Sequence, residues 1–564
     1  MLKKKQRVTV LIFGVFLFVG IILPAKILAQ DYEDSRFGIF GAYALEYYWF
    51  MEHMEFDDSD YWNWVDGHFE NLGAHWTRSN TQLIWELIEP ELNGNYVWDI
   101  LTNPDSVITN IYDSPAGVNW LGCFNVGREE EFRNPLDYPD NWQNFLMAAV
   151  DRYNGDGIND LNGFVNVKYW QIGNEIPCLQ SAGLSPEDYA EIVALSESAI
   201  HSIDPEAKIC LVAPTNGFQV EPYLQLSIQE LAILGIPIDV IDVHQWRNAG
   251  NYKIQAISEY RDILDSNGYE NVEIWSCEHG TWCYQPDNQP FQTGSEQAES
   301  LVKRYLWNFA NGLDKLFWNN LMEWHGFAGN PGSVFNSMGL IGDGSFCGEP
   351  PDEFNHIRKN YYSYKILADN IDSHKAEFIG ENDFHDEANG NYGYTYCDLE
   401  TGNDIQFVWT ELDSAVYSFS IDDEYEWTNL IPIDDDGNFD TLFLQPGTYS
   451  ITILAGDVFL LKREKQSSNE EETIEPAGAQ LNQNFPNPFQ SVTTVSYNLQ
   501  YSGNVSVAIF DIAGRRICTL VDAIQTDGNH SVVWDGRDNR EHPVSSGIYY
   551  CCLDIGEVSL TNTM

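Results

Sequence analysis

Short β-rich runs alternate with amphipathic helical stretches from Phe37 to about Asn370, and this alternation restricts the fold more than any other feature of the chain. The predicted strands are Phe37–Tyr43, His75–Arg78, Asn119–Phe124, Val167–Glu175, Lys208–Pro214, Ile238–Trp246, Val272–Glu278 and Lys315–Leu321. Helices are predicted between most of them, for example at Pro186–Ile203, Pro222–Leu234, Ile254–Ser266 and Glu296–Asn311. Eight strand–helix units in about 330 residues are the number and size of a (β/α)8 barrel. A doubly wound open sheet would show the same alternation, so the pattern leaves two α/β architectures open.

The pattern changes after the helix predicted at Tyr361–Asn370, where strands follow one another with turn residues between them. These strands are predicted at Gln406–Thr410, Val416–Ser420, Asp440–Leu444 and Thr448–Leu454, with turns at Asp436-Gly437 and Pro446-Gly447. We therefore predict a barrel domain over 31–374 and a small β-sandwich over 375–463. Residues 464–480 are polar and charge-rich without apolar periodicity, which indicates a linker, and 481–564 form a further β-rich domain.

The N-terminus has the composition of a secretory signal peptide. Basic residues at positions 3, 4, 5 and 7 precede an apolar or small run from Val8 to Leu23, which Pro24 ends. This order predicts a signal segment over 1–30 with cleavage near Ala29 or Gln30, and the alternative is an uncleaved membrane anchor. We expect export through the periplasm to the cell surface or medium, without membrane insertion after cleavage.

The charge of the chain excludes several kinds of partner. The sequence has 85 Asp+Glu against 29 Lys+Arg, a formal net charge of −56. Binding to nucleic acid needs concentrated Lys and Arg, and anionic membranes or acidic polymers would be repelled for the same reason. A neutral substrate such as a sugar chain remains compatible with this charge.

Several reaction classes lack their sequence signatures. The ten cysteines do not have zinc-ligand spacing, and we find no P-loop, dinucleotide-binding glycine pattern or Ser/His/Asp signature. Cysteines of an exported chain can form disulfides, but the spacing identifies no pairing.

Two glutamates end predicted strands that would face each other across a barrel. Glu175 ends the fourth strand and Glu278 ends the seventh, 103 residues further along the chain. Catalytic groups of (β/α)8 barrels lie at the C-terminal ends of the strands, so both side chains would project into one mouth. Glycoside hydrolysis requires two such carboxyl groups, one that holds a proton for the leaving oxygen and one that is ionised. Either residue alone would more simply be a strand-end ion pair, but together they favour a (β/α)8 barrel with hydrolytic chemistry.

The pair Asn174-Glu175 after the fourth strand and Glu278 after the seventh resemble glycoside hydrolase clan A, whose members share a (β/α)8 barrel. Arg78, His244 and Trp318 also lie where that clan has active-site residues. The resemblance covers about 35–370, and the following β-domain resembles the small sandwich appended to families such as family 39; family 5 is a second candidate. It implies a retaining mechanism with Glu175 as acid/base and Glu278 as nucleophile.

Further residues have expected roles around these two carboxyl groups. Glu175 needs a raised pKa, which a shielded site beside the charge of Glu278 would favour. Arg78 is the expected partner that keeps Glu278 ionised, and Asn174 is expected to bind the 2-hydroxyl of the sugar. His244 is expected to orient the nucleophile or its network, and Trp246, Trp282 and Trp318 are expected to stack on sugar faces.

A polar, glycine-containing turn lies between the third and fourth strands. Asp151, Asn154, Asp156 and Asp160 offer oxygen ligands of the kind that calcium prefers, although the EF-hand spacing and its Glu at position 12 are absent. A solvated turn explains the same composition, and a bound calcium ion would be structural. We expect no cofactor for the reaction.

The C-terminal segment resembles the sorting domain of type IX secretion, which is related to the immunoglobulin-like domain of a flagellar hook-capping protein. The motifs that carry the resemblance follow in order at 481–489 (LNQNFPNPF), 507–520 (VAIFDIAGRRICTL), 528–536 (GNHSVVWDG) and 546–549 (SGIY). The resemblance implies an immunoglobulin-like β-sandwich and an interaction with the type IX secretion machinery.

Taken together, the sequence predicts a secreted retaining glycoside hydrolase that cleaves β-glycosidic bonds of a neutral poly- or oligosaccharide. The alternative is a non-catalytic carbohydrate-binding or adhesive surface protein on the same barrel. Which glycan is bound, and whether cleavage is endo or exo, are open at this point.

Overall fold

We describe the protein from a computed structural model. The structure describes residues 32–41, 58–78, 83–98, 104–127, 132–161, 165–215, 217–283, 285–286, 288–323, 333–343, 354–433, 437–463, 479–481, 493–499, 503–511, 516–526, 528–537, 539, 542, 544, 549–555 and 558–563. The predicted signal segment and most of the predicted linker lie outside the described residues. The chain divides into two compact units, Met1–Glu464 and Lys465–Met564.

Eight parallel strands of the first unit close into a barrel. In chain order they are Phe37–Phe40, Trp76–Arg78, Asn119–Phe124, Tyr169–Ile172, Lys208–Cys210, Val240–Asp242, Glu273–Gly280 and Lys315–Asn319. Each pairs with its neighbour in parallel, and the eighth strand pairs with the first through Phe37↔Leu316 to Phe40↔Asn319. This closure confirms the (β/α)8 barrel and excludes an open, doubly wound sheet. A two-residue strand, Gln245–Trp246, follows the sixth strand and pairs in parallel with His279 and Gly280 at the end of the seventh strand.

Helices follow the strands and cover the outside of the barrel. They are Asp58–Leu72, Trp85–Ile88, Pro104–Asp113, Pro139–Tyr153, Ile176–Ser181, Pro186–Ile203, Pro222–Leu234, Ile257–Ser266, Gly294–Ala310 and Lys359–Ile371, with a 3-10 turn at Val334–Ser337; a second 3-10 turn, Glu387–Asn389, lies in the following β-sandwich. The start of Pro186–Ile203 is fixed by a capping box, in which the Ser185 side chain accepts from the Asp188 N–H and the Asp188 side chain accepts from the Ser185 N–H. Thr293 and Glu296 form the same motif before Gly294–Ala310.

Buried apolar side chains, four of them aromatic, fill the barrel interior below the strand ends that carry the two glutamates. This cluster consists of Trp76, Leu121, Tyr169, Cys210, Val240, Trp275, Cys277 and Phe317. The Lys315 ammonium lies 4.9 Å from the ring centre of Trp76 and donates hydrogen bonds to the backbone carbonyls of Glu33 and Ser35. Because this end of the barrel is closed by packing, the interior can be open only at the C-terminal ends of the strands.

A β-sandwich follows the barrel in the same unit. A six-stranded sheet contains Ala376–Glu381, Asn391–Asp398, Asp404–Thr410, Val458–Arg463, Tyr425–Asn429 and Thr441–Leu444, in that spatial order, and Ser414–Ile421 pairs with Gly447–Leu454 in a second sheet. Ile341–Asp343 and Phe354–Ile357 form a separate hairpin. The Tyr252 hydroxyl donates to Glu411 at 2.6 Å, and the Lys253 ammonium donates to Glu387 at 2.9 Å, so polar contacts join the sandwich to the barrel.

The second unit is built from two antiparallel sheets around its own core. One sheet contains Ala479–Leu481, Thr493–Leu499 and Gly528–Trp534, and the other contains Arg516–Gln525, Gly503–Asp511, Tyr549–Ile555 and Val558–Thr563. Val505, Val507 and Leu553 are fully buried in this core. The described residues thus confirm a β-sandwich at the C-terminus.

Two negative findings apply to the described residues. Their helices are all too short or too polar to span a bilayer. Their cysteines form no disulfide bond.

Candidate active site

Glu175 and Glu278 lie at the same end of the barrel. Glu175 follows the fourth strand and pairs with Ala213 in a single parallel bridge, while Glu278 lies within the last three residues of the seventh strand. The Glu278 side chain is 9% exposed and that of Glu175 is 21% exposed. One oxygen from each carboxyl group and one nitrogen of His244 all lie within 4.8 Å of one another. The fold therefore brings together the two carboxyl groups that the sequence predicted as a pair.

The guanidinium of Arg78 joins three side chains at the floor of this mouth. Its Nη1 donates to Glu278 Oε1 at 2.6 Å, its Nε donates to Gln171 Oε1 at 2.8 Å, and its Nη2 donates to Asn174 Oδ1. Arg78 is 1% exposed, so its charge is shielded from water and depends on these acceptors. The planar fork of donors holds the Glu278 carboxylate in one orientation.

His244 connects Glu175 to a buried aspartate. Its Nδ1 lies 3.0 Å from Glu175 Oε1 and 3.7 Å from Glu278 Oε1, and its Nε2 lies 2.9 Å from Asp242 Oδ2. Asp242 is fully buried and also accepts from the Cys277 N–H and the Gln171 side-chain amide. Asp242 thus fixes the imidazole, and the imidazole positions the carboxyl group of Glu175.

The charges of this network shift the pKa values of its members. Burial acts to lower the pKa of His244, but the charges of Glu278 and Asp242 and the hydrogen bonds to Asp242 and Glu175 raise it to about 10. Burial opposes ionisation of Asp242 as well, yet His244 and Arg78 hold its pKa below its ordinary value. Burial raises the pKa of Glu278, and the charges of His244 and Arg78 limit that rise. With His244 protonated, both of its ring nitrogens are donors, one to Glu175 and one to Asp242.

The raised pKa of His244 predicts a pH-dependent stability. From pH 6.5 to about 9 the folded protein keeps a proton on His244 that the unfolded chain releases, so the free energy of unfolding should fall as the pH rises. The largest slope that one proton can give is about 1.4 kcal/mol per pH unit. Denaturant unfolding at intervals from pH 6.5 to about 8 would measure the slope, and His244→Gln should lower it; above about pH 8 the buried thiols of Cys210 and Cys277, whose pKa values are also raised, add to the slope.

His201 supplies the matched control for this measurement. Against the effect of burial, the Ala207 carbonyl and Glu197 raise the pKa of His201 too, but the residue lies on the helix Pro186–Ile203, outside the mouth. The variant His201→Gln should keep most of the slope. An unchanged slope in His244→Gln would contradict the assignment of this proton to His244.

Two members of the network, Gln171 and Asp242, were missing from the sequence prediction. Each lies an even number of residues before a predicted one, Gln171 four before Glu175 and Asp242 two before His244, within the strand runs predicted from the sequence. Alternate residues of a strand point to the same side, so this spacing is the signal that could have identified them. Asn174 breaks the alternation because Gly173, with φ of 79°, turns the chain after Ile172.

The three tryptophans predicted to stack on sugar rings differ in exposure. Trp318 has no exposed surface and its indole N–H donates to the Met338 carbonyl at 2.9 Å. Trp282 is 3% exposed and donates to the Pro290 carbonyl at 3.1 Å. Trp246 is partly exposed and its ring centre lies 5.5 Å from that of His244. Trp246 is therefore the one of these three with ring surface available beside the site.

The predicted calcium loop closes on itself through hydrogen bonds. Asp160 accepts from the N–H groups of Gly155 and Gly157, Asp156 accepts from the Ile158 N–H at 2.8 Å, and the Asn159 amide donates to Asp151. These contacts explain the residue types of the loop without an ion. Calcium binding at Asp151, Asn154, Asp156 and Asp160 stays a prediction.

Several solved glycosidases are similar to this chain in fold. A glucosidase from Croceicoccus marinus is similar over 77% of this chain and 97% of its own, with a TM-score of 0.53 and 12% identity. An α-L-arabinofuranosidase from Thermotoga maritima and a GH39 β-xylosidase from Caulobacter crescentus each have a TM-score of 0.51 and 12% identity, and in both cases the similarity covers 76% of this chain and 96% of theirs. At this identity the similarity shows the fold.

The C-terminal unit matches a known domain family. Residues 489–553 match the family model of the FlgD Ig-like domain, which confirms the predicted relation to the immunoglobulin-like domain of a hook-capping protein. No curated protein matches the chain.

Proposed function

We propose that the protein is a retaining glycoside hydrolase of clan A, with Glu175 as general acid/base and Glu278 as nucleophile. The observation that carries this proposal is the distance between the two carboxyl groups, whose nearest oxygens lie within 4.8 Å of each other. Retaining enzymes hold the two groups about 5–5.5 Å apart, whereas inverting enzymes leave about 6.5–9.5 Å for a water molecule. The glycosidase neighbours of the same fold support the reaction class by analogy.

The different surroundings of the two glutamates support their different roles. Glu278 is held against Arg78 at 2.6 Å, which favours an ionised and oriented nucleophile. Glu175 is the more exposed of the two and can exchange its proton with solvent between turnovers. The positive charges of Arg78 and His244 balance the negative charges of Asp242 and Glu278. If Glu175 is protonated, the net charge of the five groups is therefore zero.

The reaction then follows in two displacements. In the first, a Glu278 oxygen attacks the anomeric carbon while Glu175 gives its proton to the glycosidic oxygen, which leaves as an alcohol. In the second, Glu175 takes a proton from water, and the water oxygen attacks the anomeric carbon and releases the Glu278 carboxylate. Each step inverts the anomeric centre, so the product keeps the original configuration. Asn174, whose Oδ1 is taken by Arg78, has its Nδ2 available to donate to a sugar hydroxyl.

We propose a neutral poly- or oligosaccharide with β-glycosidic bonds as the substrate class. The formal charge of −56 disfavours polyanionic chains, and the partly exposed ring of Trp246 suits the apolar face of a neutral sugar.

A glycan panel tests this function. The mature protein would be incubated with plant and algal glycans and with a series of nitrophenyl α- and β-glycosides, and the first product would be examined by NMR for its anomeric configuration. We expect cleavage of at least one β-glycoside with the β-anomer formed first. The α-anomer as first product would contradict the retaining mechanism, and inactivity throughout, together with glycan binding, would favour the alternative of a carbohydrate-binding or adhesive protein.

We further propose that the protein is exported and that residues 481–564 address it to the type IX secretion machinery. The support is the basic and apolar N-terminus together with the FlgD-like Ig domain. N-terminal sequencing of the protein from the culture medium should find a chain that begins near Gln30. Recovery of the protein only from the cells, with Met1 still at its N-terminus, would contradict this part of the proposal.

A further inference from the structure

A second group of potential metal ligands lies at the opposite end of the barrel from the two glutamates. His75, Asp372 and His374 each present one nitrogen or oxygen, and these atoms lie within 4.8 Å of one another. His75 directly precedes the second barrel strand, whereas Asp372 and His374 lie between the helix Lys359–Ile371 and the first strand of the sandwich. We propose that these three side chains bind a divalent transition metal ion, with Zn²⁺ as the best match, and that the ion stabilises the junction between barrel and sandwich.

His75 already has the orientation and tautomer of a ligand. Its Nδ1 lies 2.8 Å from the Ala116 carbonyl oxygen, and because a carbonyl can only accept, Nδ1 carries the proton. A metal-bound histidine commonly donates its second N–H to a carbonyl in this way. The ring of Tyr32 stacks on the imidazole at 3.8 Å with an angle of 7° between the planes and so fixes the plane of the ring; with Nδ1 bonded to the carbonyl, Nε2 is the nitrogen that would bind the ion.

Asp372 is fixed by three donors. Its Oδ1 accepts from the N–H groups of Arg36 and Ser373, and its Oδ2 accepts from the Ser35 hydroxyl at 2.7 Å. The side chain is 1% exposed, so a carboxylate is held in place before any ion binds. Such prior orientation lowers the cost of assembling a metal site.

The distances between the three side chains are close to those of a tetrahedral zinc site. His374 Nδ1 lies 3.2 Å from Asp372 Oδ2, an ion pair when His374 is protonated, and two ligands at zinc bond lengths near 2.0–2.1 Å are about 3.3 Å apart, so an ion could replace that proton. The ring centres of His75 and His374 are 5.7 Å apart, compared with about 5 Å for two imidazoles on one tetrahedral zinc ion. Small movements of His374, which is 28% exposed, would complete the geometry.

The chemistry of the ligand set fits the same class of ion. Two imidazoles and one carboxylate suit zinc and its neighbours better than calcium or magnesium, which prefer oxygen. His374 would bind through Nδ1 with its proton on Nε2, and water would occupy the fourth position. Lys375, the adjacent cation, directs its ammonium to Asp369 at 3.1 Å.

Metal titration of the full mature chain tests the proposal. The protein would be stripped with a chelator, and Zn²⁺ binding would be followed by calorimetry and by the temperature of thermal unfolding. Because Glu175, His244 and Glu278 also offer close ligand atoms, the measurements would use a Glu278→Gln background. We expect one Zn²⁺ bound and a higher unfolding temperature, and His374→Ala should weaken binding at least about a hundredfold. Co²⁺ in place of Zn²⁺ should give the visible absorption of a tetrahedral site.

His201→Ala is the matched control, since His201 is 25% exposed and lies away from the cluster. Equal Zn²⁺ affinity in the His374→Ala and His201→Ala variants would overturn the proposal, and so would the absence of Zn²⁺ binding in the Glu278→Gln background. Failure of hydrolysis in the glycan panel would leave this result untouched, because the measurements report metal binding alone.

Discussion

The substitution Glu278→Gln is expected to lower kcat/KM for every β-glycoside that the wild type cleaves by at least about three orders of magnitude. An amide cannot form the ester with the anomeric carbon, so the first displacement is lost. The fold should persist because the amide oxygen still accepts from Arg78 Nη1 at the Oε1 position, 2.6 Å away. Steady-state kinetics with nitrophenyl glycosides would measure the loss, and thermal unfolding would establish that the variant is folded.

Glu273 offers a control on the same strand. It begins the seventh strand, at the end opposite to the mouth, and accepts from the Trp275 indole N–H at 2.6 Å. Glu273→Gln should therefore keep the wild-type turnover.

A second experiment uses the variant Glu278→Ala with added azide. It should yield the α-glycosyl azide, because a single displacement inverts the anomeric centre. Near-normal turnover of Glu278→Gln would contradict its role as nucleophile.

The barrel could be predicted from local signals in the chain. Each of the eight strands overlaps a run that was predicted as a strand. The helix Pro186–Ile203 has the predicted bounds, and its start is marked by Ser185 and Pro186, which are strong start signals. Glu175 and Glu278 could be paired once the fold was assumed, since the strands of a barrel end at one mouth. The prediction therefore rested on short-range patterns and on one topological rule.

Contacts between strands that are distant in sequence could not be predicted in the same way. His244 was expected to orient the nucleophile or its network, and of the two glutamates it lies closer to Glu175, at 3.0 Å, than to Glu278, at 3.7 Å. Which of two oxygens an imidazole contacts depends on strand register and barrel stagger, and a single sequence does not determine these. The same limit explains why the cluster of His75 and Asp372, almost 300 residues apart, gave no signal in the sequence.

Sequence also could not predict how the aromatic residues divide between packing and binding. Trp318 and Trp246 both follow strand patterns, yet Trp318 is fully buried and Trp246 is partly exposed. A tryptophan on a barrel strand can pack in the core or bind a substrate, and a substrate can reach only the ring surface that is not buried. This distinction needs the complete set of neighbours in space.

For Glu175→Gln we expect a loss that depends on the leaving group of the substrate. Without a proton donor, departure of a sugar alcohol should slow by about 10²–10⁴-fold, the usual contribution of general acid catalysis. A dinitrophenolate leaves without protonation, so formation of the glycosyl–enzyme should stay close to the wild-type rate for a dinitrophenyl glycoside. Burst kinetics with that substrate, compared with steady-state cleavage of an oligosaccharide, would separate the two effects.

The variant should also accumulate the intermediate, because Glu175 is needed again to deprotonate water in the second displacement. Added azide needs no such base, and it should restore turnover of the dinitrophenyl glycoside and give the β-glycosyl azide, the product of two inversions. Glu187→Gln, on the exposed first turn of Pro186–Ile203, is the control for loss of a carboxylate elsewhere on the barrel. An equal loss for good and poor leaving groups would mean that Glu175 does not protonate the departing oxygen. The acid would then have to be sought elsewhere at the mouth, and the close pair of carboxyl groups would have a binding role instead.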